Sequence, residues 1–220
     1  MRFIANATIL ILGVTLSACV STRNVPLSPV RAALLKGHSF ATTRYSVPDF
    51  PATTPVKAEL GMIGAFAMIA EGNSRIRENR VNDPANVIAA ELAKAVTAKY
   101  SGWIVNSANE TVSDGSVIAI SKAYSNADYL IDVKTVGWGC IYYPFNWGRY
   151  RVTYSAQFRL IDTRQQVVLC EGFFAWTPND TANAPGYGEL MDNNAARLKA
   201  ELKIAEEGAV RHFKTETLRL

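Results

Sequence analysis

The most regular pattern in the chain lies around Arg149–Leu160. Tyr150, Val152, Tyr154, Ala156, Phe158 and Leu160 alternate there with Arg149, Arg151, Thr153, Ser155, Gln157 and Arg159. A period of two predicts a strand, Arg149 to Asp162, with one buried and one wet face. Two further β-rich segments flank it, Asp128 to Tyr143 and Gln166 to Trp176. The links "PFNWG" and "DTRQQ" are short enough for hairpins, so the three strands form an antiparallel meander.

Helical periodicity dominates elsewhere. Asp83-Pro84 is a helix start, and Val87, Ile88, Leu92, Ala95 and Val96 lie along one side of the segment up to Gly102. "DGSVIAISKAYSNA" predicts a shorter helix. A charged helix closes the chain, with Leu190, Leu198, Leu202, Ala205, Ala209 and Phe213 as its inner side. Ser39 to Val47 and "WIVNS" supply short strands. The order β-α-α-β-α-β-β-β-α predicts an α+β fold: a mixed sheet of three to five strands ending in the meander, with helices packed on one face.

One stretch resists this reading. "ELGMIGAFAMIAEGN", Glu59 to Asn73, follows the helix-start pair Thr54-Pro55 and is apolar around nearly its whole circumference. Leu60, Met62, Ile63, Phe66, Met68 and Ile69 supply its bulk. Glu59 and Glu71 bracket only eleven residues, well short of the roughly 20 that span a bilayer. Such a helix is buried in its own core or forms an interface with a protomer, a partner or lipid headgroups.

The amino terminus changes the picture most. "MRFIANATILILGVTLSAC" has one basic residue, an apolar stretch and then small residues, the layout of a secretory signal peptide. Leu16-Ser17-Ala18-Cys19 resembles the lipobox of bacterial lipoproteins. The resemblance implies cleavage between Ala18 and Cys19, lipid (palmitate among the acyl chains) on the Cys19 thiol, and, with Val20 and Ser21 following, residence at the outer membrane. Residues 1–18 are then the signal, 19–38 a lipidated tether rich in Pro, Ser and Thr, and 39–220 a single periplasmic domain. Ala127-Asp128-Tyr129, after a helix and leading into a strand, is similar to an "ADY" strand in periplasmic accessory lipoproteins. That group includes the curli-secretion channel lipoprotein and activators of cell-wall synthases.

The net charge of +4 falls by one when Arg2 leaves, and the basic residues are scattered apart from Arg75, Arg77 and Arg80. A nucleic-acid reader concentrates such charge on one face, so none is expected as a partner. No G-x-S-x-G, phosphate-cradling glycine loop or H-E-x-x-H occurs, and His38 and His212 sit far apart as surface residues. The chain is read as non-catalytic, without cofactor or metal. Cys140 and Cys170 fall on one face of the meander but about 20 Å apart, which favours two buried thiols over a bridge. Tyr142, Tyr143, Phe145, Trp147 and Tyr150 crowd a hairpin tip, either as a binding surface or folded back onto the domain. Together these features predict a lipid-anchored accessory or assembly subunit whose partner is an envelope protein complex or a second copy; the alternative is a module binding envelope glycan or lipid through the aromatic tip.

Overall fold

The computed structural model describes residues 23–106 and 111–220; the signal segment and Cys19 lie outside them. In chain order the elements are α1 (Pro29–Ala33), β1 (Ser39–Thr42), β2 (Ala52–Thr53), α2 (Pro55–Glu59), α3 (Gly61–Glu78), α4 (Ala85–Tyr100) and β3 (Trp103–Ile104). They continue through α5 (Val117–Ala123), β4 (Tyr129–Tyr143), β5 (Asn146–Asp162), β6 (Val167–Trp176) and α6 (Tyr187–His212), with a π-helical turn at Phe213–Leu218. The sheet runs β3-β1-β4-β5-β6, and β2 joins the same edge of β4 as β1, further along. β1, β2 and β3 pair in parallel, while β4, β5 and β6 form the antiparallel meander. The described sheet therefore has six strands, one more than the predicted upper bound, because the two-residue β2 leaves no periodic signal.

The alternation along β5 places Tyr150, Val152, Tyr154, Ala156, Phe158 and Leu160 in the main core. β4 keeps its own core face by a bulge. Thr135 pairs with Ala156 and Gly137 with Ser155, so Val136 is the extra residue. The slip lets Thr135, Trp138 and Cys140 point the same way. Without it the two small residues Gly137 and Gly139 would occupy the core side.

α4 and α6 cover this face with Ile88, Ala89, Leu92, Ala93 and Val96 from one helix and Leu198, Leu202, Ala205 and Ala209 from the other. Val87, placed on the buried side by sequence, is exposed instead. α6 is broken near its start, where Asn193, Asn194 and Ala195 take positive φ. Asn tolerates that region better than other non-glycine residues. Helices do not occupy one face alone: α5 covers part of the other, and Ile120, Tyr124 and Ala127 join Ala41, Leu130 and Ile161 in a second core.

The segment expected as tether is bound to the domain from Asn24 onward. Val25 exchanges two backbone hydrogen bonds with Glu171 on the free edge of β6, and Asn24 Oδ1 accepts from the Phe173 amide at 2.8 Å. Leu27 and Leu35 are fully buried, and the Arg31 guanidinium donates to the Leu169 carbonyl at 2.6 Å. The domain thus begins well before residue 39. A Pro- and Ser-rich composition does not prevent a segment from capping a strand edge that would otherwise stay open.

Candidate functional site

The greasy stretch is helical, as α3, but its apolar half is not in the core. Met62 and Ile63 are each 78 % exposed, Phe66 69 % and Leu60 57 %, with Val56 of α2 beside them in the chain and also exposed. Met68 and Ile69 are half-buried. The polar end of the stretch is what docks. Glu71 accepts from the Tyr187 hydroxyl at 2.8 Å and pairs with Lys57. Asn73 Oδ1 accepts from the Phe50 amide at 2.9 Å, and its Nδ2 donates to Asp49 at 2.8 Å. Gly72 lies directly against the Phe50 carbonyl, where any Cβ would overlap it, and Ile76 enters the core. α2 folds back on α3 with Gly64 against the Lys57 carbonyl. The result is a helical hairpin fixed by its polar residues and presenting its apolar ones.

The aromatic tip divides. Phe145, at positive φ in the turn, is fully exposed and Trp147 largely so. Tyr143 and Tyr150 are buried, and Tyr142 is half-buried against the core. The Tyr143 hydroxyl donates to the backbone carbonyls of Pro178 or Asp180, while Tyr150 packs on Tyr187 with centroids 5.4 Å apart. Only two of the five predicted platform residues therefore present a free face. The turn and an irregular register between the pairs Tyr142–Tyr150 and Tyr143–Asn146 decide which.

Cys140 faces Val152 on β5 and Cys170 faces Leu160 further along the same strand. Both thiols are free and buried, and burial pushes each up to about 12. The histidines are less exposed than expected. His38 Nδ1 lies 3.2 Å from Asp128, and His212 is half-buried against Phe174 and Phe213.

Asp128, the acid of the "ADY" strand, gathers the Ser39 amide and hydroxyl, His38 and Arg164. Burial would raise its carboxyl, but these donors and the guanidinium outweigh that and hold it below the usual range. On the same strand Asp132 is enclosed by Thr43, Tyr45 and Arg159 at 2.6 to 2.8 Å. Asp83 starts α4, accepting from Ala85 and from Thr135, and burial pushes its carboxyl up. All three acids tie elements together. The sequence placed Asp83 at a helix start and Asp128 before a strand but gave no sign of their long-range partners, which lie dozens of residues away. Among the described residues, no three His, Cys, Asp or Glu side chains gather as a metal site, and no helix is long and apolar enough to cross a membrane.

No protein-family model matches the chain, and no curated protein matches it. Among solved structures it is similar to a variant PelC dodecamer from Paraburkholderia phytofirmans, at 12 % identity over 90 % of this chain and 96 % of that one, with a TM-score of 0.40. It is also similar to lipoprotein GNA1162 from Neisseria meningitidis, at 14 % identity over 80 % and 99 % of the two chains, with a TM-score of 0.29. Likeness at this level carries neither function nor partner over to this chain.

Proposed function

We propose that this chain is a lipid-anchored, periplasm-facing accessory subunit of a cell-envelope protein assembly, tied to the outer membrane at Cys19 and docking an envelope protein through the α2–α3 hairpin. The observation that carries the reading is the inversion within α3: polar residues fasten the helix to the domain while Leu60, Met62, Ile63 and Phe66 stand in solvent. Contiguous exposed apolar surface of this kind marks interaction sites. A face already folded before binding suits a protein partner, because only its side chains are left to order. Gly61 and Ala65, small and exposed among the large side chains, leave room for a partner's backbone to approach.

The anchor follows from the lipobox, and the docked amino-terminal segment gives it a mechanical consequence. Four residues separate Cys19 from Asn24, at most about 18 Å of extended chain from one to the other. A lipid on Cys19 would therefore hold the β6 edge close to the membrane on a short leash. The chain has no role as an enzyme in this reading.

Mild detergent extraction of the full chain followed by size measurement tests the proposal. The protein should travel in a discrete complex well above its own mass, and Ile63→Glu with Phe66→Glu should reduce it to the monomer. A self-associated species would narrow the partner to a second copy. A wild-type monomer unaffected by the substitutions would contradict the reading.

A further inference from the structure

Near the turn of the β4–β5 hairpin, Tyr143, Arg151, Asp180, Asn183, Arg197 and Glu201 line a cleft of about 140 Å³. That is below the roughly 300 Å³ at which drug-sized sites begin, so the space suits one ring and not a chain. Of its two cations Arg197 is paired with Glu201, while the Arg151 guanidinium lies 5.1 Å from the centre of the Tyr143 ring. Arg151 donates from Nη1 to the neutral Asn179 side chain at 3.1 Å, and its Nε is buried without a partner. That Nε has almost no surface of its own, so an incoming carboxylate would be met by the outer nitrogens of the guanidinium in charge-assisted hydrogen bonds.

The cleft also carries two carboxylates. Asp180 is held by the Ala182 amide and the Asn183 side chain, and Glu201 by Arg197 at 2.8 Å. These acids decide between ligands. A bare inorganic anion would meet Arg151 but bring no donor to Asp180 and Glu201 to offset their repulsion. A neutral sugar would find hydroxyl acceptors but leave the Arg151 charge unanswered. A molecule with one carboxylate and several hydroxyl donors satisfies both halves.

We infer that this cleft binds a single carboxylated sugar, free or at the end of a glycan, with its carboxylate on Arg151 and its hydroxyls on Asp180 and Glu201. The site is separate from the α2–α3 face, and neither proposal depends on the other. It gives the hairpin, expected from sequence as a glycan or lipid platform, a ligand class and a different set of contacts: buried Tyr143 and its neighbours, not the exposed tip.

The test is ligand-detected NMR and calorimetry on the full chain in neutral detergent, with glucuronate as probe and glucose as control. Saturable glucuronate binding in the millimolar range is expected, with glucose about tenfold weaker or more, a difference of about 1.4 kcal/mol. Arg151→Met, which keeps most of the apolar stem over Tyr143, should remove that preference. The sugar comparison on the unmodified protein stands whether or not the variant folds. Equal binding of both sugars, or saturable binding of neither, would overturn the inference.

Discussion

The Tyr187 hydroxyl donates to Glu71 Oε1 at 2.8 Å across 116 positions of sequence, joining the start of α6 to the middle of α3. Lys57 of α2 pairs with the same carboxylate. Three helices thus meet on one acid. Tyr187→Phe removes the neutral donor and keeps the ring packed on Tyr150. It should cost about 1–2 kcal/mol, read from the denaturant midpoint, and should speed proteolysis within α2 and α3.

Gly72→Ala tests the close approach of α3 to the Phe50 carbonyl. The added methyl has no space, so α3 must shift or β2 must give way. The expected loss is about 1–3 kcal/mol, together with faster amide exchange at Phe50. Gly37→Ala would be a poor control, because its positive φ imposes strain of its own.

Substitutions on the exposed face should leave the fold untouched. Ile63→Glu and Phe66→Glu are expected to stay within about 0.5 kcal/mol of wild type in denaturant unfolding. Trp147→Ala should behave the same way. Leu92→Ala, which empties a fully buried position on α4, should lose about 2–5 kcal/mol.

Asp83 makes stability depend on pH with a definite sign. Its folded carboxyl is pushed above the ordinary value of 3.8 by burial, so the native state binds the proton more tightly than the unfolded chain. The stabilisation is complete below 3.8 and is lost as pH rises through the elevated folded value. Asp83→Asn keeps an acceptor for Ala85 and Thr135 but cannot ionise. Urea unfolding across this pH range should show the variant gaining on wild type as pH increases; parallel curves would contradict the assignment.

Cys140 and Cys170 should be inert. Thiols held near 12 carry almost no thiolate at neutral pH. Mass spectrometry after native alkylation should show neither modified, and both modified after unfolding without reductant.

The sequence revealed much of this fold wherever one environment acted on a long element. β5 lies between a core and a wet face, so its alternation could be read directly, as could the inner row of α6. The bulge at Val136 was hidden because a single extra residue leaves no periodic trace. α3 left core and interface both open for a different reason. Its apolar residues surround the axis and give no direction, while the side that docks is chosen by Phe50 and Tyr187, far away in the chain. The hairpin shows the same limit: Tyr143 and Trp147 look equivalent in sequence, yet the turn at Phe145 sends one inward and leaves the other out. The cleft at Arg151 depends on residues 178–185 folding beside the hairpin, which composition does not announce.

The central claim is that the apolar half of α3 is covered by a protein in the envelope. A photo-activatable residue at position 63 of the full-length chain, in living cells, tests it most directly, with position 99 on exposed α4 surface as control. The account predicts a discrete protein adduct from position 63 and none from position 99. Crosslinks from position 63 to lipid alone, or none at all, would contradict it.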